Sequence, residues 1–203
     1  MTDISKFRLS NVGDTCSIWN ILSSRLLWST ARTTGATVCC TQFVKYECLH
    51  KPGQTRPERT EMQRRVRREI ESGNLVCCNI ELEDLQDIQI LSTRKKVSTG
   101  ELSSMVFAKR TSQAFLSDDG KARKLAITIM EKDFIQSTPH LIGWLYFQGK
   151  LQDSDKNQIE TDLRQLNRNL QPHLDSAYKE GCRCRLMNRG LQATSISEEK
   201  TSG

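Results

Sequence analysis

The sequence predicts an α+β domain, a largely antiparallel sheet of about five strands with three helices packed on it. Three observations carry that expectation. Leu125, Ile127 and Ile129 alternate with Lys124, Ala126, Thr128 and Met130, the period-2 pattern of a strand. Residues 141–147 are apolar almost throughout, as in a central strand covered on both faces. Strand-like and helix-like stretches then follow one another in mixed order, without the regular βαβ alternation of a parallel sheet.

Taken in order, residues 1–13 hold no sustained pattern and read as a flexible N-terminal arm. A single domain is expected over 14–190. Asp14 or Thr15 caps a first helix running to about Ser29, with Ile18, Ile21, Leu22 and Leu26 as its apolar stripe. Over 36–49, Ala36, Val38, Cys40, Val44, Tyr46 and Cys48 share one face, which predicts a long half-buried strand stopped by Pro52 and Gly53. Pro57 suits the first position of a second helix. Met62, Val66 and Ile70 form its apolar stripe, and Gly73 closes it. Residues 75–82 and 88–91 return to strand character around the acidic run LEDLQD, and STRKKVSTG over 92–100 reads as a basic loop. Asp119 and Gly120 form a two-residue turn signal leading into the central strand pair, whose connection spans 133–140. Ile159, Leu163, Leu166 and Leu170 give the third helix, ended by Pro172. The tail over 191–203 has too few apolar residues to order itself.

At 203 residues the chain is one domain of ordinary size. Thirty basic against 24 acidic side chains leave +6, well short of a purely electrostatic nucleic-acid binder. No stretch approaches the roughly 18–20 apolar residues of a membrane span, and the N-terminus lacks the apolar core of a secretory signal. Eight cysteines in that context argue for free thiols in a reducing, cytoplasmic or nuclear setting. The adjacent pairs Cys39–Cys40 and Cys77–Cys78 read as small core hydrophobes.

The strongest functional signal is charge. Arg94, Lys95, Lys96, Lys109, Arg110, Lys121, Arg123 and Lys124 face only Glu101, Asp118 and Asp119 within the same stretch, which leaves +5 of the chain's +6. With a hairpin turn at Asp119, the two loops would share one rim of the sheet and attract the phosphates of nucleic acid or an anionic membrane surface. Arg64, Arg65 and Arg68 share a face of the second helix, although that helix also carries glutamates at pairing distance. Cys48 with His50, and Cys182 with Cys184, are the one arrangement compatible with zinc, but the chain contains no C-x2-C and no metal is expected. Recognised nucleophile, phosphate-loop and dinucleotide motifs are missing, so neither an enzyme nor a cofactor is expected. The composition therefore predicts a non-catalytic regulatory or accessory protein with a basic surface for RNA or another polyanion and an apolar surface for a protein partner. The alternative is a self-associating, matrix-type protein at a membrane surface, a texture common among small viral accessory proteins.

Overall fold

Ser10–Gly13 (β1) is the middle strand of a five-stranded sheet in which every pairing is parallel. Thr37–Thr41 (β2) lies on one side of it and Ala114–Leu116 (β4) on the other. Val76–Cys78 (β3) adds beyond β2, and Ile135–Gln136 (β5) beyond β4. The computed structural model describes residues 3–52, 56–93 and 97–201. The antiparallel expectation is thereby corrected. Parallel strands cannot be joined by hairpins and need long crossovers, which ten α-helices among the described residues help to supply. The central strand comes from the stretch expected to be a loose arm.

Thr15–Ser23 (α1) and Arg25–Thr33 (α2) connect β1 to β2. Gln42–Leu49 (α3) and Pro57–Glu71 (α4) lead to β3, and Leu82–Ser92 (α5) and Thr99–Arg110 (α6) to β4. Gly120–Ala126 (α7) precedes β5, after which Thr138–Phe147 (α8), Asp153–Gln165 (α9) and Gln171–Thr201 (α10) follow. Two apolar cores result. One holds Ile18, Leu22, Leu27, Val38, Cys40 and Val44 with α8, and the other holds Val12, Leu102, Met105, Phe115 and Leu125. Helices thus cover both faces of the sheet.

Each misread strand has a physical reason. The apolar run at 141–147 lies in α8, where buried surroundings on nearly every side erase the amphipathic stripe. A short apolar run does not distinguish a covered strand from a covered helix. The stretch 36–49 divides at Thr41, whose hydroxyl accepts the Val44 amide at 3.3 Å and starts α3. Val44 and Cys48 are four residues apart, a spacing that fits one face in either period, and both are buried. Tyr46, assigned to that same face, is 54% exposed, as the helical period requires. Residues 124–126 end α7, and Ile127 is exposed rather than buried. No described helix is long and apolar enough to cross a membrane.

Candidate functional site

The order β3-β2-β1-β4-β5 means that the chain winds outward from β1 in one direction, then crosses to β4 and winds in the other. Connections from the carboxyl ends of β1 and β4 run to opposite halves of the sheet, the kind of switch point at which open α/β sheets bind ligands. In this protein that edge is lined with carboxylates.

Gly13 ends β1, and a Cβ there would stand 2.9 Å from Ile18 Cγ1 and 3.2 Å from Val38 Cγ1, so the close approach of α1 needs glycine. Asp14 follows as the cap of α1. Its Oδ1 accepts the Ser17 amide at 2.7 Å and its Oδ2 the Ser117 hydroxyl at 2.5 Å. The side chain is fully buried. Burial pushes its carboxyl up to about 6, against those hydrogen bonds and with a further rise from the charge of Asp118.

Asp118 lies two residues past β4 and ties three elements together. It accepts the Thr138 amide at 2.8 Å, the Thr138 hydroxyl at 2.6 Å and the Asn20 amide at 2.6 Å. Glu47 enters from α3, accepting the Thr15 hydroxyl at 2.6 Å and the Gly100 amide at 3.3 Å. A Cβ on Gly100 would fall 2.6 Å from Glu47 Oε2, so a larger residue there would displace this carboxylate. Glu101, next in α6, closes a capping box by accepting the Ser98 amide at 2.8 Å.

Cys16 reports how closely these groups gather. Its thiol feels the negative charge of Asp14, Glu101 and Asp118 together, and enclosure followed by those charges pushes it up to about 11. Positive groups border the same edge. Arg168 donates to Asn20 Oδ1 at 2.7 Å, and Arg123 donates to the Ser117 carbonyl at 2.8 Å. Arg123 and Asp118 also line an adjoining cleft of about 270 Å³ with His140 and His173. Among the described residues, no group of three or more carboxylate, cysteine or histidine side chains is placed to hold a metal ion.

The basic residues singled out by composition are divided. Lys109 and Arg110 end α6, at the edge of the sheet where β4 begins. Lys121, Arg123 and Lys124 belong to α7, which starts beyond the opposite end of β4. Asp119 is not a hairpin turn but the cap of α7, accepting the Lys121 and Ala122 amides at 2.6 and 2.8 Å. The hairpin on which a shared rim depended is therefore not formed. Arg94, Lys95 and Lys96 lie outside the described residues. Arg110 grips Asp84 at 2.9 and 3.0 Å and Glu81 at 2.8 Å. Arg64 and Arg65 both pair with Glu61, at 2.8 and 2.7 Å, and Arg68 pairs with Glu69 at 3.0 Å. Cys48 is on the buried face of α3, and the described residues do not bring it with His50, Cys182 and Cys184 into a ligand cluster.

Sequence reasoning noticed Asp14 only as a cap, and Glu101 and Asp118 only as charges opposing lysines. Asp14, Glu47, Glu101 and Asp118 span more than half the chain and share no local spacing, so only the strand order reveals them as neighbours. No family model and no curated protein matches the chain.

Proposed function

We propose that this protein is a divalent-cation-dependent phosphodiesterase acting on nucleic acid, with the carboxyl edge of the sheet as its active site. One observation carries the reading: Asp14, Glu47, Glu101 and Asp118, from four separate parts of the chain, gather at the switch point of a parallel sheet. A buried carboxyl with a raised pKa is a group that an incoming cation stabilises in its ionised form. Mg²⁺ suits such a site because it keeps several waters and is held by one or two carboxylates plus substrate phosphates, not by a closed protein cage. A bound cation supplies polarisation of the phosphoryl oxygen and a water acidic enough to attack near neutral pH. Carboxylates left free of the cation can take the proton from that water. Arg123, Arg168 and Lys121 lie where a phosphate backbone entering the edge would need countercharge.

The reading from charge alone keeps nucleic acid as partner but predicts binding without cleavage. The membrane-surface alternative predicts flotation with anionic vesicles. A protein partner is a separate proposal, supported by the exposed apolar side chains of Leu82, Leu85 and Ile90 on α5.

The test is incubation of end-labelled RNA and DNA oligonucleotides with the protein in Mg²⁺, in Mn²⁺ and in EDTA. Cleavage is expected with either cation and not in EDTA, with Asp14→Asn and Asp118→Asn each slower by about 100-fold or more, the scale on which removing a transition-state-stabilising group acts. Binding of either polymer with no cation-dependent cleavage overturns the enzymatic reading in favour of a non-catalytic one.

A further inference from the structure

β2 and β3 pair in a register that sets Cys40 directly opposite Cys77. Neighbouring strands lie about 4.8 Å apart, within the roughly 4.4–6.8 Å between Cα atoms that a disulfide spans. Both side chains pack on the same apolar core, so the two sulfurs lie on one face of the strand pair. Cys77 is half-buried and reachable from solvent, whereas Cys40 is 1% exposed. Cys39 and Cys78 lie on the other face of the same two strands, offset by two residues in the register. Nothing in the proposed role of the carboxyl edge uses these four sulfurs.

We propose that Cys77 is a thiol–disulfide exchange site for low-molecular-weight disulfides of the oxidised-glutathione type, with Cys40 as the resolving thiol that closes a bond between β2 and β3. The neighbouring Cys40 thiol, and after it the Lys45 ammonium, hold the Cys77 thiol below the usual thiol range. That lowering raises the share of Cys77 present as thiolate, the attacking form. The first step joins Cys77 sulfur to one sulfur of the small disulfide, breaks that disulfide, and expels the other half as a thiolate. In the mixed disulfide Cys77 no longer carries charge, which removes part of what holds the Cys40 thiol protonated. Cys40 then gives its proton to the expelled thiolate and attacks the Cys77 sulfur, releasing the second small thiol. Two protein thiols are oxidised and one small disulfide is reduced to two thiols.

The other cysteines lack this combination. Cys16 is exposed, but enclosure on one side and the charge of Asp14 push it up to about 11. Burial pushes Cys39 up to about 12, so its pair offers no comparable nucleophile there. A cross-strand disulfide between parallel neighbours forces the Cβ atoms closer than the strands hold them, which strains the bond and makes it readily reducible.

The experiment exposes the reduced full chain to oxidised glutathione at neutral pH, quenches with acid, and maps adducts and crosslinked peptides by mass spectrometry. Expected first is a glutathionyl adduct on Cys77, formed about ten-fold faster than on any other cysteine. It then gives way to a Cys40–Cys77 crosslink that excess reduced glutathione reverses. Cys40→Ser should stop at the mixed disulfide on Cys77, and Cys77→Ser should remove both products while thermal melting confirms that each variant folds. The proposal is overturned if Cys16 or Cys184 reacts first, if Cys39–Cys78 forms in place of Cys40–Cys77, or if Cys77→Ser reacts like the parent chain. Because no cation or nucleic acid is present, the result is independent of whether the carboxyl edge proves catalytic.

Discussion

Asp14 loses all of its solvent on folding, and its carboxylate oxygens accept the Ser17 amide and the Ser117 hydroxyl in exchange. Its folded pKa of about 6 stands above the ordinary 3.8, so the native state holds more protons than the unfolded chain between those values. Stability conferred by the neutral form is fully present below about pH 4 and is lost as pH rises through 6. Asp14→Asn keeps a good helix cap and removes the charge. In urea unfolding it should gain about 2 kcal/mol at pH 7.5 and nothing at pH 3.5. Equal stability at pH 7.5 would show that the carboxylate is not held against its solvation. Arg110 poses the opposite case, because it neutralises the buried Asp84. Arg110→Gln should cost about 2–3 kcal/mol by leaving that carboxylate unpaired, with nucleic-acid binding unchanged. Weaker binding at unchanged stability would return Arg110 to the role that charge alone assigned it. Sequence could identify Asp14 as a cap and count Arg110 as a cation, but partners 103 and 26 residues away are set by folding and not by spacing.

At the scale of elements, the helices that show an amphipathic period were legible and the covered ones were not. The stripe of Met62 and Val66 correctly places α4, and that of Ile159 and Leu163 places α9. In contrast, α8 packs so closely on α10 that its apolar surface has no polar side to reveal a period. Glycines make that approach. A Cβ on Gly143 would stand 3.0 Å from the Ala177 carbonyl of α10, and one on Gly181 would press on the Gly143 carbonyl and stand 2.9 Å from Tyr146 Cβ. Gly181→Ala should therefore gain helix propensity yet destabilise the protein by about 2 kcal/mol through overpacking, seen as a lower melting temperature. A melting temperature at or above that of the parent would mean that the two helices do not approach through these glycines. The strands evaded detection for a different reason. At two to five residues they are too short for alternation to be read, and β1 is half polar.

For the whole molecule, the failure to see a parallel sheet and the failure to see a site are one failure. With two long stretches taken as paired strands, the turn at Asp119 became a hairpin and the lysines around it a common rim. Once β4 is placed beside β1, the same residues start a helix, and Asp118 falls against the environment of Asp14. What composition conveyed correctly was coarse: a surplus of positive charge and, among the described residues, no helix long and apolar enough to cross a membrane. The central claim is that the carboxylates at the carboxyl edge create a site for a divalent cation. Calorimetric titration of Mn²⁺ into the metal-free full chain tests it most directly, with Asp14→Asn titrated alongside. A saturable site that is filled in the parent chain, raises its melting temperature and is lost in Asp14→Asn is the predicted result. A parent chain that takes up no Mn²⁺, or an Asp14→Asn chain that binds it equally well, would contradict the account.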